Sequence, residues 1–519
     1  MYFVQEHLKF NIMKKYNIIL LLTIALVIQF SCKKSLEPKV YSILTEKNAF
    51  VTKSDAIAGV NAVYARLKGP SVGDNYDYWT VRHFALTDLT TDLGHCDYGG
   101  DPGQLSNIQW NSSNGLILED WRQIYKLIAN ANVAISNITP MKSITDAEKS
   151  KFLAEIRFLR AIAYMDITDI WGPSVLITEK EMAAKDYSAK PQLTSLADMN
   201  KYLIGELEYA AANLPLNYVN NPIYPNNDVG RATKGAALGM LAKLYLRDHQ
   251  WQKAADYCQQ VIDLKVYDLY PTYAGLFAES NTWCVENIFS VLSDANVNGT
   301  ELLNHFGPLE HPVLTERWQY YAVTWDFYNS FNNADDRKKM FFAEYTGTDN
   351  LIHKQAPTLG AIAPAGVLYM PNVATSKYAD PNGANTYYDG HSVNILRYAD
   401  ILLSRAEALN EINGGPSTES IELVNKVKRR SHATELVLAN LNQSTFRDAI
   451  LQERGWELFY EGKRRADLVR MGKYEQVVNA YLARIGKSPS IQMPRDQFFP
   501  YPTSQVSINP NLNNAGRRN

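Results

Sequence analysis

Stretch after stretch of this chain repeats the apolar spacing of a helix with one buried face, and no such helix is stable by itself. The segment EKNAFVTKSDAIAGVNAVYARLKG sets Ala56, Val60, Val63 and Leu67 on one stripe, with Ser54-Asp55 available as a cap and Gly69-Pro70 as a stop. LEDWRQIYKLIANANVAISNI places Trp121, Ile124, Tyr125, Ile128 and Val133 near one stripe. DAEKSKFLAEIRFLRAIAYMDITDIWGP runs from an Asp146 cap to a Gly172-Pro173 stop, and TSLADMNKYLIGELEYAAANLP ends before Pro215. Each stripe needs a partner, so the chain is predicted to be mainly α, an array of packed helices.

Two later segments read as helix pairs. In GRATKGAALGMLAKLYLRDHQWQKAADYCQQVIDLK the first helix carries Ala236, Ala237, Met240, Leu241, Leu244 and Tyr245. After the turn Asp248-His249-Gln250, the second carries Trp251, Ala254, Ala255, Cys258, Val261 and Ile262. Small residues at the crossing and larger ones at the edges resemble the tetratricopeptide pattern, and any antiparallel helical hairpin shares that plan. NILRYADILLSRAEALNEINGGPSTESIELVNKVKRRSH repeats it around Gly414-Gly415-Pro416, and TFRDAILQERGWELFYEGKRRADLVRMGKY reads as one further helix.

The stretches between are of another kind. Residues 73–120, 265–390 and 475–519 are rich in Tyr, Trp, Asn, Gly, Asp and Pro and lack helical period except in short pieces such as LTERWQYYAVTWDFYNSF. Loops of that length in a compact protein are commonly functional. The fold class predicted is therefore tetratricopeptide-like helix pairs packed against long irregular loops that carry a ligand-binding face. The balance of 52 Lys+Arg against 54 Asp+Glu, net −2, gives no bulk attraction for nucleic acid. Four Cys among 519 residues cannot build a disulfide framework.

The N-terminus has a separate logic. Lys14 and Lys15 precede the apolar run Ile18 to Ile28, which falls short of the roughly 20 residues a bilayer span needs. Residues 1–31 read as a signal peptide, with Met13 as a candidate start. Ser31-Cys32 at its end resembles a bacterial lipoprotein signal, in which the cysteine thiol takes the lipid; an ordinary signal with a chance cysteine is the alternative. Residues 32–45 would be the tether and 46–519 a single domain with halves 46–264 and 265–519.

The ordered set of motifs resembles the SusD/RagB family of nutrient-binding outer-membrane lipoproteins of Bacteroidetes. It is carried by Ser31-Cys32 followed by Leu36-Glu37, then ALTDLTTD at 85–92, WRQIYKLIANAN, AEIRFLRAIAYMDITDIWG and GRATKGAALGMLAKLYL. WQKAADYCQQVIDL, ILRYADILLSRAEALNEING, ILQERGWELFYEGKRRADLVRMG and FFPYPTSQVSINPNL continue it in order. The resemblance implies a lipid-anchored lid on the outer face of the outer membrane, seated over a SusC-like TonB-dependent transporter barrel, that captures a glycan or oligosaccharide and delivers it. RagB-like members leave capture of peptides or another nutrient open, and a hydrolase is a remote alternative.

Sugars present flat C–H faces and a rim of hydroxyls, so rings that stack and polar side chains that bond the rim are the chemistry to seek. The resemblance places such residues in two loops. LGHCDYGGDPGQLSNIQW offers His95, Asp97, Tyr98 and Trp110; the later loops offer Trp283, Arg317, Trp318, Tyr320 and Tyr321. Each ring could instead be buried beneath its loop, and Trp318, Tyr321 and Trp325 could pack inward from an amphipathic helix. Tyr98 is the leading choice because Asp97 and Gly99-Gly100 mark a turn. No catalytic residue, metal site or cofactor motif is predicted. Asp88 and Asp92 read as a solvated face or cap, His95-Cys96-Asp97 as a poor metal site, and Cys258 and Cys284 as buried. Glu453, Glu457 and Glu461 beside Arg454, Arg464 and Arg465 read as an ion-pair network, and Lys428-Arg429-Arg430 as a solvated helix end. Cys32→Ala is expected to move the protein from the membrane fraction to the soluble fraction; a mutant that still sediments with membranes refutes lipidation at Cys32.

Overall fold

In the computed structural model of the chain, residues 50–68, 78–184, 190–224, 228–297, 299–383 and 386–519 are described. The signal peptide, Cys32 and the tether lie outside the described residues. Helix α1 (Lys53–Lys68) buries Ala56, Val60, Val63 and Leu67, as their spacing predicts. Its cap is Thr52 rather than Ser54: Thr52 Oγ1 accepts from the Asp55 N–H, and the Asp55 carboxylate accepts from the Thr52 N–H in return. Helix α2 (Gly115–Ile138) buries Trp121, Ile124, Ile128, Ala131 and Ile135. Val133 is exposed, because five residues past Ile128 falls off the stripe. Helix α3 (Asp146–Ile170) starts from a reciprocal Thr145–Glu148 capping box, one residue ahead of the Asp146 expected to cap it. Helix α4 (Leu196–Asn213) ends two residues before Pro215.

The two expected pairs are α5 (Lys234–Arg247) with α6 (Trp251–Asp263) and α7 (Tyr398–Asn413) with α8 (Thr418–Arg430). Gly414 turns the second pair in the left-handed region, φ 65°. From α1 to α8 each helix packs on the next in sequence order. Residues 264–397 leave the stack after α6 and return before α7, yet α6 and α7 touch directly. The last expected helix is two, α9 (Gln443–Leu458) and α10 (Arg464–Arg470), separated by a bend with Tyr460 at φ 50° and Gly462 at φ 72°. Helix α11 (Tyr474–Arg484) occupies a stretch expected to be irregular. Val51–Asn519 forms one compact unit. Among the described residues no helix is long and apolar enough to cross a membrane.

The strands are β1 (Gly94–His95), β2 (Asn287–Val291), β3 (Ala322–Val323), β4 (Glu344–Thr346), β5 (Ile352–Lys354), β6 (Val367–Tyr369) and β7 (Val393–Arg397). β2 and β7 pair antiparallel and close the neck of the long insertion. β4, β5 and β6 form a small mixed sheet within it. β1 pairs antiparallel with β3, Gly94 opposite Val323 and His95 opposite Ala322. The amphipathic helix entertained across Trp318 and Tyr321 is absent. Glu316 and Gln319 have positive φ, Ala322–Val323 is a strand, and helix begins at Trp325.

A fully enclosed ion-pair network joins the insertion to the helices. Arg337 meets Asp335, Glu453 and Glu457; Arg397 meets Glu286, Glu457 and Glu461. Arg430 adds Glu286 and Glu457, Lys377 adds Glu461, and Lys428 adds Glu453. Glu453 and Glu457 on α9 and Glu461 on the bend after it are thus a network, as their spacing suggests. Their partners, however, come from the insertion and α8 rather than from Arg454, Arg464 and Arg465. Arg454 pairs instead with Asp400 and Asp467, and Arg464 with Asp92. Lys428 is buried and the Arg430 side chain is enclosed although the residue is half-buried, which corrects the solvated helix end; Arg429 is the exposed one of the three. Burial pushes the Glu457 carboxyl up, but Arg430, Arg397 and Arg337 outweigh it and hold it at about 2. Because that value lies below the ordinary one of 4.5, Glu457 stabilises the fold above pH 4.5, and this contribution is lost as pH falls through 2. Glu457→Ala is expected to cost about 3–5 kcal/mol in urea unfolding at pH 7, since it strands buried cations. Breaking the exposed Arg429–Glu422 pair leaves the midpoint in place.

Candidate functional site

The β1–β3 pairing explains how two loops distant in sequence meet. Thr324 locks the register from below, its N–H donating to Leu93 O at 2.9 Å and its hydroxyl to Asp92 O at 2.7 Å. Asp88 and Asp92 anchor this corner, so neither lies on a solvated face. Asp88 is fully buried and accepts from the Gly462 N–H at 3.0 Å, and Asp92 is bidentate with Arg464 at 2.8 and 2.9 Å. Burial pushes the Asp88 carboxyl up to about 7, against the hydrogen bonds from Thr87 and Gly462.

Above the corner the chain turns outward on both sides. Tyr98 is 42 % exposed and stacks on Tyr320 with centroids 4.9 Å apart and planes at 27°. Its hydroxyl donates to the Trp318 carbonyl at 2.7 Å, bridging 220 positions of sequence. Backbone bonds fix the 318–321 segment against a short helix, Leu302–Phe306: the Trp318 N–H donates to Asn304 O at 2.9 Å and the Tyr321 N–H to His305 O at 2.8 Å. The His305 ring packs edge-on to Trp318 and Tyr320. Burial pushes its imidazole down to about 4, so it is neutral at neutral pH. Tyr387, 51 % exposed, meets Trp318 edge-on at 6.0 Å. Its hydroxyl lies within electrostatic reach of the Glu301 carboxylate.

Trp318, Tyr320 and the His305 ring line a hollow of about 350 Å³ together with Gly99, Gly100, Asp101 and Glu301 among others. A smaller one of about 190 Å³ lies beyond Tyr98, between Asp97, Tyr345, Leu368 and Met370. Such a surface offers ring faces beside carboxylate and hydroxyl acceptors, which suits a molecule with flat apolar faces and a hydroxyl rim. A hollow between α3, α5 and α10 is lined instead by ion pairs such as Lys243–Asp400 and Arg470–Asp467.

The sequence candidates therefore divide. Trp318 and Tyr320 line the larger hollow, and Tyr98, stacked on Tyr320, lines the smaller one. Asp97 lies at the rim, its carboxylate accepting from Asn372 Nδ2 at 2.9 Å. His95 is half-buried behind it, Nδ1 at 3.4 Å from the Tyr481 hydroxyl, and burial pushes its imidazole down. Arg317 is buried and bonds inward to the Asn304 side-chain carbonyl and to Thr386 O, so it supports the loop rather than offering a charge. Tyr321 touches the hollow but is 1 % exposed and belongs mainly to the core ring cluster with Phe306 and Tyr460. Trp283, half-buried just before β2, lines neither hollow, and Trp110 packs on Phe499 in the core. Cys96 and Cys258 are buried, whereas Cys284 is half-buried. Among the described residues no group of three or more metal-ligating side chains gathers. The sequence reading did not single out Tyr387, His305, Glu301 or Asp101. The double tyrosine flanked by glycines in GANTYYDG was the available signal for Tyr387.

Comparison with known proteins reaches the same corner of protein space. A family model described as the SusD family matches residues 313–516, and one described as starch-binding, associating with the outer membrane, matches residues 75–246. A SusD-like protein of Formosa agariphila is 25 % identical over 93 % of this chain and 95 % of its own length. A SusD-like carbohydrate-binding protein of Bacteroides fragilis superposes with TM-score 0.76 at 22 % identity, covering 89 % of this chain and 99 % of its own. Surface glycan-binding protein A of Bacteroides thetaiotaomicron, solved with laminarihexaose, superposes with TM-score 0.70 at 20 % identity over 88 % of this chain and 98 % of its own. Arg317→Ala is expected to cost on the order of 2 kcal/mol of stability, because it leaves the buried Asn304 side-chain carbonyl unmet. Tyr98→Ala is expected to cost less; paired urea titrations of the two variants check the order.

Proposed function

We propose that this chain, which belongs to the SusD family, captures a glycan or its oligosaccharides on the bacterial outer membrane and hands them to a SusC-like TonB-dependent transporter. The observation that carries this is the exposed ring platform of Tyr98 on Tyr320, with Trp318 and Tyr387 beside it, at the edge of a hollow. A monomeric surface keeps exposed rings together where they have something to bind. The prior stacking of Tyr98 on Tyr320 and the hydroxyl bond to Trp318 O hold the platform in place, so little side-chain freedom is lost when a sugar ring settles on it. The laminarihexaose complex of the B. thetaiotaomicron protein supports a glycan as the class of ligand this architecture can hold. In this reading Cys32 carries the lipid and the mature chain stays at the membrane as a lid.

Capture without turnover is what the hollow's chemistry favours: rings and hydroxyl acceptors bind a sugar, and none of the sequence candidates is placed as a nucleophile. Tyr98→Ala combined with Trp318→Ala is expected to abolish retardation in glycan-loaded native gels, with the melting temperature within a few degrees of wild type. Unchanged retardation removes these rings from the site. Binding of a peptide panel in place of every polysaccharide favours the peptide-capturing reading.

A further inference from the structure

The charge pattern around the hollow narrows the ligand class, and this step rests on the glycan reading above. Its charged lining residues are Asp101 and Glu301, both carboxylates and both half-buried. Asp101 is fixed on one wall, Oδ2 accepting from the Gly115 N–H at 3.0 Å. Glu301 lines the same hollow, within electrostatic reach of the Tyr387 hydroxyl and of Asp389. The cations carried on neighbouring segments point away. Arg317 is spent on Asn304 and Thr386 O, and Arg82, 2 % exposed, reaches Glu119 at 3.4 Å. His305 is kept neutral by burial. At the smaller hollow, His353 Nε2 sits 3.0 Å from the Asp349 carboxylate. The exposed Lys487, bonded to the Asn107 side-chain carbonyl, offsets Asp97 and leaves the discrimination to Asp101 and Glu301.

We propose that the platform selects uncharged glycans and rejects those bearing uronate carboxylates or sulfate esters, with Glu301 and Asp101 as the specificity-determining residues. A neutral sugar's hydroxyls donate to these two carboxylates. An anionic substituent brought into the hollow meets like charge from both carboxylates in a partly desolvated space, with no cation among its described lining residues to answer it.

The experiment is calorimetry on the full mature chain with a panel of neutral polysaccharides (β-glucan, α-glucan, xylan, mannan) and anionic ones (polygalacturonate, alginate, carrageenan). The best neutral binder is then compared with its own partly carboxymethylated form. The expected result is binding confined to neutral polymers, unaffected by raising the salt from low to physiological, and a loss of about tenfold or more on carboxymethylation, the scale of one like-charge contact. Glu301→Gln, checked for wild-type melting, is expected to narrow that gap. Tight, salt-sensitive binding of an anionic polysaccharide overturns the selectivity while leaving the glycan reading intact. Equal affinity for the carboxymethylated and parent polymers overturns it too. Failure of every polysaccharide to bind overturns the glycan reading and this inference with it.

Discussion

Arg397 ends β7 with its side chain fully buried, where Glu286, Glu457 and Glu461 surround its guanidinium. The same space holds Arg337, Arg430, Lys377 and Lys428 against Asp335 and Glu453, so five cations face five carboxylates. Removing charges from water is expensive, and the cost is offset only when every member finds its opposite in good geometry. The members come from the neck of the insertion, its interior, α8, α9 and the bend after it. The cluster therefore forms only in the assembled protein, and it fixes where the insertion stands relative to the helices. The bend that carries Glu461 also carries the Gly462 N–H that holds Asp88, and Asp88 begins the corner from which β1 departs. A chain of short contacts thus runs from the buried charges to the ring platform.

Much of the helical frame was legible in the sequence, because amphipathic spacing is a local property. Val60, Val63 and Leu67 could only be a buried stripe, and α5 and α6 announce themselves by small residues at the crossing. The errors have local causes as well. Val133 was placed on a stripe it misses by angle. The continuous pattern from Thr445 to Tyr474 concealed a bend that Tyr460 and Gly462 make in the left-handed region. Lys428 and Arg430 looked like a solvated terminus because their partners lie in other segments.

The site was legible only in part, for the same reason. Tyr98 carried a turn signal of its own, in Asp97 and Gly99-Gly100. Trp318 and Tyr320 could be named but not sorted from Tyr321, since all stand in one aromatic run and only the positive φ at Gln319 and the strand at Ala322–Val323 decide which ring faces out. Arg317 reads as a ligand-binding cation until Asn304 is seen to claim it. Glu301 and His305 have no signal, because their part depends on a two-residue strand pairing that periodicity cannot detect.

The long insertion begins and ends at adjacent rungs, α6 and α7, which lean on one another without its help. Its neck is two short strands zipped side by side. A segment attached in this way resembles a cartridge in a socket: its interior can lengthen, shorten or change its rings while the socket keeps its shape. The Trp318–Tyr320 side of the ring platform can then be rewritten within one continuous stretch of gene, while Tyr98 and Asp101 stand outside it.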